Sequence, residues 1–142
     1  MKYAILVTLI SSWYLVGLSV TVALNVYPSF EFVDGDKWQK FHEHHSNRIS
    51  WAVGPAWIAQ AAGLAIWLFS SPRATLAMWT SSALFALGAV GLTIFSAVPI
   101  HQKLSQGFNA DLLRKLRFAH VLRTISWLLG ALCTTLALLQ KL

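Results

Sequence analysis

Four stretches of this 142-residue chain carry almost no formal charge, and each is long enough to cross a hydrocarbon core as a helix. Residues 3–30 have no charge, 49–72 lie uncharged between Arg48 and Arg73, and 74–100 lie uncharged between Arg73 and Lys103. The fourth stretch, 118–140, contains Arg123 as its one formal charge, with His120 beside it. Inside a bilayer no water satisfies backbone groups, so each stretch must bond to itself as a helix. The expected fold is therefore all-α, an integral membrane four-helix antiparallel bundle. Its spans are expected near 3–27, 47–71, 75–98 and 119–139. Composition agrees: 11% of residues are charged, against about a quarter in an ordinary soluble domain. The longest polar gap, residues 31–48, is too short for a separate soluble domain.

The same residues exclude several classes. Cys133 is the single cysteine and lies within the fourth stretch, which leaves no disulfide or thiolate metal cluster. The net charge of +6 comes from scattered Lys and Arg with no dense basic run, so nucleic acid is not an expected partner. Lys2 followed by an apolar run invites a signal-peptide reading. That run is longer than an h-region and no Ala-x-Ala site follows, so it reads as a retained span.

Proline marks the expected span ends. The first span should stop at Pro28 and the third at Pro99, because proline lacks the N–H that continues a helix. Asp36 and Gln39 form a capping-box pattern, so the second helix should begin near Lys37 and continue through Arg48, with a bend at Pro55. Ser70-Ser71-Pro72-Arg73 reads as a tight turn. An amphipathic stretch, Asp111 to Phe118, leads straight into the fourth span.

The chain also repeats itself. Val26-Tyr27-Pro28 recurs as Ala97-Val98-Pro99, 71 residues on. His45-Ser-Asn-Arg48-Ile-Ser-Trp51 recurs as His120-Val-Leu-Arg123-Thr-Ile-Ser-Trp127, with one residue of slippage. Two tandem hairpins are expected, 1–71 and 72–142, sharing one orientation in the membrane.

With alternating spans, all five histidines (His42, His44, His45, His101 and His120) fall on one membrane face, together with Arg48 and Arg123. His42, His45 and Arg48 follow one another at i, i+3 spacing, and His120 and Arg123 repeat it. Arginine in an apolar zone faces a bundle interior or water, so Arg48 and Arg123 are expected to face each other and form an anion-attracting pocket. Three chemistries suit it. His42, His45, His101 and His120 are a candidate metal set for copper, iron or zinc. His45 and His120 could hold a haem, although the arginines lie deeper than propionates usually point. With no cofactor, an imidazole is a competent general base and a guanidinium stabilises a developing enolate or phenolate. The bland alternative is that the arginines snorkel to phosphates and that Trp51 and Trp127 are belt aromatics. His44 and Glu43 read as solvated.

Val98-Pro99-Ile100-His101-Gln102-Lys103-Leu104, followed by His120-x-x-Arg123, resembles the anthrone oxygenase-like group of small four-helix membrane proteins. That group shows Val-Pro-Leu-Asn-x-x-Leu and then His-x-x-Arg. The resemblance covers roughly residues 90–130. It implies oxidation of anthrone-type polyketides to anthraquinones without an obvious cofactor, and it points to His101, His120 and Arg123. His101 stands where the pattern has Asn, which leaves open a metal-dependent variant or another substrate.

The expected function is a membrane-embedded oxygenase-like or redox enzyme acting on a lipophilic aromatic or quinone-like molecule. His120 and His45 would serve as base or ligand, Arg48 and Arg123 would hold the anionic oxygen, and His101 and His42 would complete the site. The competing reading is a non-catalytic or haem- or metal-binding small subunit of a larger membrane complex or a homo-oligomer. In that case Gly54, Gly63, Gly88, Gly91 and Gly130 would supply small-residue packing faces. Eight Lys and Arg residues fall on the His-bearing side and three (Lys2, Arg73, Lys141) on the other, which predicts a cytoplasmic His face.

Overall fold

A computed structural model describes residues 2–70 and 76–140. Among these residues there is no strand, and four long helices account for nearly all of them. We label them α1 (Lys2–Phe32), α2 (Trp38–Ser70), α3 (Leu76–Leu104) and α4 (Ala110–Leu139), each long and apolar enough to cross a bilayer. The turn expected at 70–73 lies, past Ser70, outside the described residues.

Neither Pro28 nor Pro99 stops its helix. Each follows a single π turn, Val22–Val26 in α1 and Thr93–Ala97 in α3. At the end of these turns the Tyr27 N–H reaches the Val22 carbonyl, and the Val98 N–H reaches the Thr93 carbonyl, five residues back. The added residue lets the proline open a fresh α-helical segment, where its missing N–H costs little. The two π turns are 71 residues apart, the spacing of the two prolines. Beyond Pro28, α1 closes with a 3₁₀ turn at Phe30–Phe32.

Helix starts follow local chemistry. α2 begins at Trp38, after a turn tied by Asp34 to the Lys37 ammonium (2.8 Å) rather than by an Asp36 cap. It runs through Pro55 without interruption. Asn109 caps α4, its side chain accepting from the Leu112 N–H at 2.9 Å, and Asp111 adds negative charge to the first turn. The expected amphipathic lead-in is thus the first turns of α4 itself.

Pairwise contacts define an antiparallel arrangement in which α1 packs on α2 and α4, and α4 packs on α3. Near the start of α1, a Cβ at Gly63 of α2 would come within 2.5 Å of Thr8 Oγ1 and 3.0 Å of the Thr8 backbone nitrogen. Gln60 also donates to Ser12 there (2.9 Å). At the other end of α1, the Phe30 ring meets Trp38 at the start of α2. On α4, Gly130 lies against Phe85, and Thr134 bonds Ser82 at 3.0 Å. Gly54 and Gly91 have open space where a Cβ would be, and Gly88 meets only Ser126, so two of the five glycines serve close internal packing.

Small residues such as Ala4, Thr8, Ser12, Ala89, Ala131 and Thr134 fill the interior beside the buried Ile5, Leu15, Trp67 and Trp127, while Phe69, Phe95 and Trp51 point outward. Small residues where helices meet closely, with large apolar residues on the outer surface, are the pattern of helices that pack within lipid. A second kind of core caps the His-bearing end, where Tyr27, Phe30, Trp38, Leu104, Leu113 and Leu116 pack together. Arg117 ties this cap to α1 by pairing with Glu31 (2.9 Å) and donating to the Tyr27 carbonyl (3.2 Å).

Candidate functional site

Beneath the aromatic cap, α2 and α3 stand apart and leave a cavity of about 620 Å³ backed by α1 and α4. Both π turns reach its wall, through Val22 on α1 and Thr93 and Ala97 on α3. His42, His45, His101, His120 and Arg123 all line it, as the shared-face reading expected. His44 is exposed outside it.

Two histidines form the upper wall. His42 Nε2 and His101 Nδ1 are hydrogen bonded at 3.0 Å, with ring centroids 5.2 Å apart. Trp38 stacks at a tilt on His42 (5.5 Å) and donates from Nε1 to the Leu104 carbonyl at 2.6 Å. His45 lies 6.1 Å from His101 and edge-on to Phe30 at 5.1 Å. Among the described residues, His101 Nε2 and the His45 ring have no hydrogen-bond partner.

Deeper in the cavity, Arg123 is held by its own helix and by α3. Its Nη2 donates to His120 Nδ1 at 2.5 Å and its Nη1 to Thr93 Oγ1 at 3.3 Å. A guanidinium can only donate, so His120 Nδ1 must accept. The His120 proton therefore sits on Nε2, which donates to the Ser19 carbonyl at 2.8 Å. His120 is thus neutral and fixed in one tautomer, with both ring nitrogens engaged and Tyr27 edge-on at 4.9 Å.

Several expectations change here. Arg48 is exposed and does not line the cavity, so the facing Arg48–Arg123 pair is not formed. Steps of three residues each fall about 60° short of a full turn, and two such steps carry Arg48 about 120° from His42. His120 has no free nitrogen to act as base or to ligate a haem opposite His45. The four-imidazole metal set of His42, His45, His101 and His120 is not assembled either. Among the described residues no three His, Cys, Asp or Glu side chains come together with metal-binding geometry. His42 and His101 bond each other, while His120 is committed to Ser19 and Arg123.

Sequence reasoning missed Tyr27, Ser19 and Thr93. The proline repeat carried a signal for one of them, since Tyr27 and its counterpart Val98 both line the cavity. Nothing local in the sequence marks Ser19, whose contribution is a carbonyl. Among the described residues, five buried polar atoms lack a partner, and four belong to side chains of the cavity wall: His42 Nδ1, Ser46 Oγ, Trp57 Nε1 and Arg123 Nε. These four atoms face the cavity, where water or a bound molecule can meet them. No family model matches the chain, and no curated protein or solved structure is similar to it.

Proposed function

We propose that the chain is an integral membrane protein whose cavity carries out an oxygenase-like oxidation of a hydrophobic aromatic or quinone-like molecule. The observation that carries this reading is a clamped, ionised guanidinium in the wall of a mostly apolar cavity. An arginine placed there costs a few kcal/mol unless something negative meets it. An enolate or phenolate oxygen on a flat apolar ring system satisfies both the charge and the walls.

In this reading Arg123 receives the oxygen that turns negative as a carbon-bound proton leaves. His101 takes that proton on Nε2, its Nδ1 being held by His42. His120 acts as a positioning residue for Arg123, which departs from the base role expected from sequence. Dioxygen is the oxidant. It adds to the enolate carbon to give a hydroperoxide, and loss of the second carbon-bound hydrogen with cleavage of the O–O bond releases water. The balance is one CH₂ and one O₂ giving one C=O and one H₂O. The resemblance to anthrone oxygenase-like proteins agrees with this outcome.

Two finer features belong to the same proposal. The chain is a duplicated hairpin, supported by prolines and π turns that recur 71 residues apart. Its His-bearing face lies in the cytoplasm, supported by the eight-to-three excess of Lys and Arg there.

The test uses detergent-purified protein, anthrone as probe and air as oxidant, followed by oxygen uptake and quinone absorbance. Uptake and quinone formation should be equimolar. Arg123→Gln should lower kcat/KM by roughly 10²–10³-fold, while His44→Gln should leave it unchanged. Saturable binding without turnover would assign the protein to the binding-subunit class instead. Absence of both binding and turnover would contradict the reading altogether.

A further inference from the structure

We propose that the cavity is loaded sideways from the bilayer through a window between α2 and α3, and that Gly54 keeps this window open. The inference rests on the reading of the cavity as a lipophilic binding site.

The two helices are latched at two levels. At the His-bearing end, His42 bonds His101 at 3.0 Å and Trp38 bonds the Leu104 carbonyl at 2.6 Å. At the opposite end, Trp79 Nε1 donates to the Leu64 carbonyl at 2.8 Å. From His42 to Leu64 a helix rises about 33 Å. Among the described residues no hydrogen bond joins α2 to α3 between those latches.

The cavity reaches the outer surface along this unlatched seam. Ser50 on α2 and Val98 on α3 line it deeper in the seam and are exposed, while the exposed Glu43, Asn47, Gln102 and Ser105 give it a polar rim toward the His-bearing end. The edge of this seam is apolar at Val98, 42% exposed, with Ile49 and Val53 lining the cavity behind it. A gap flanked in this way opens toward hydrocarbon, the phase in which a flat lipophilic aromatic is concentrated.

Gly54 sits on the α2 edge of the gap. A glycine within a helix costs about 1 kcal/mol relative to alanine, so its presence calls for a reason. At Gly63 the reason is contact, since a Cβ would strike Thr8. At Gly54 a Cβ would meet nothing within 4 Å, yet the residue lines the cavity. A larger side chain there would extend into the opening. Gly54 also precedes Pro55, where a missing Cβ eases the helix past the proline. An alanine variant separates that effect from obstruction.

The experiment places the protein in lipid nanodiscs with 9,10-anthraquinone dissolved in the bilayer. Association is followed by saturable quenching of tryptophan fluorescence, since Trp57 and Trp127 line the cavity. The expected rate follows the mole fraction of quinone in the bilayer. Gly54→Leu should slow association by roughly tenfold or more, with Gly54→Ala and Gly91→Leu staying within about twofold of the parent. A Gly54→Leu rate equal to the parent's overturns the window and leaves the binding site standing. An alanine variant as slow as the leucine variant assigns Gly54 to helix geometry and also overturns it. Rates that follow the aqueous quinone concentration do the same. A parent protein that binds no quinone overturns the site reading and the window together.

Discussion

The two His-x-x-Arg segments share their residues but not their environments. His120 and Arg123 are locked into the middle of the bundle through Ser19 and Thr93, and Trp127 behind them is 2% exposed. In the other copy His45 reaches the cavity, while Arg48 is exposed and Trp51 is 79% exposed. One residue separates their tryptophans, although His and Arg keep the same i, i+3 spacing in both copies. Thr124, between Arg123 and Ile125, puts Trp127 seven positions after His120 and within about 20° of its direction, whereas Trp51 follows His45 by six and points about 120° away. A shared tetrad is therefore not a shared site, because helical phase decides which copy turns inward.

The sharpest way to break this contrast is to delete Thr124 and give the second copy the spacing of the first. Every residue beyond would rotate by about 100°, carrying Trp127, Gly130 and Thr134 off α1 and α3. The expected outcome is loss of the monodisperse folded species on size exclusion in detergent. A variant that elutes and melts like the parent would contradict the phase argument.

Next in size is the tryptophan pair. Trp127→Ala should cost about 3–5 kcal/mol, as expected for truncating a buried aromatic. Trp51→Ala should stay within about 0.5 kcal/mol, as for surface changes generally. Thermal and denaturant unfolding in one detergent compare them directly, and equal losses would contradict the burial contrast.

A smaller effect is expected at His120. Replacement by Phe keeps a ring against Tyr27 but leaves the Ser19 carbonyl and an Arg123 N–H unpaired, at about 1–3 kcal/mol for such buried groups. His120→Gln, which retains a donor and an acceptor, should recover part of the loss in anthrone turnover. Recovery of stability without recovery of turnover would remove its positioning role. The smallest change is expected for Arg48→Gln, with stability and turnover both close to the parent's.

Much of the fold was legible in the chain. Uncharged stretches mark the four helices, and alternation of their directions collects the histidines at one end. The helix ends at Pro28 and Pro99 were not legible, because proline as a stop presumes an unbroken α-helical ladder and the π turns remove that premise. The site was half legible. His42, His45, His101, His120 and Arg123 were found from spacing and sidedness. The direction of Arg48 was not, because near-equal spacing hides a drift of phase. The commitment of His120 was hidden for another reason. Its partner is the Ser19 backbone carbonyl, 101 residues away, and a carbonyl has no sequence signature.

The central claim is that Arg123, and not Arg48, supplies the anion-holding charge of the cavity. Its most direct test is the affinity of one lipophilic phenolate, such as a deprotonated hydroxyanthraquinone, for the parent, Arg123→Gln and Arg48→Gln proteins in the same nanodiscs. The account predicts a loss of roughly tenfold to a hundredfold for Arg123→Gln, the range for a charge-assisted hydrogen bond, with no change for Arg48→Gln. Equal affinity in the parent and Arg123→Gln, or a larger loss for Arg48→Gln, would contradict it.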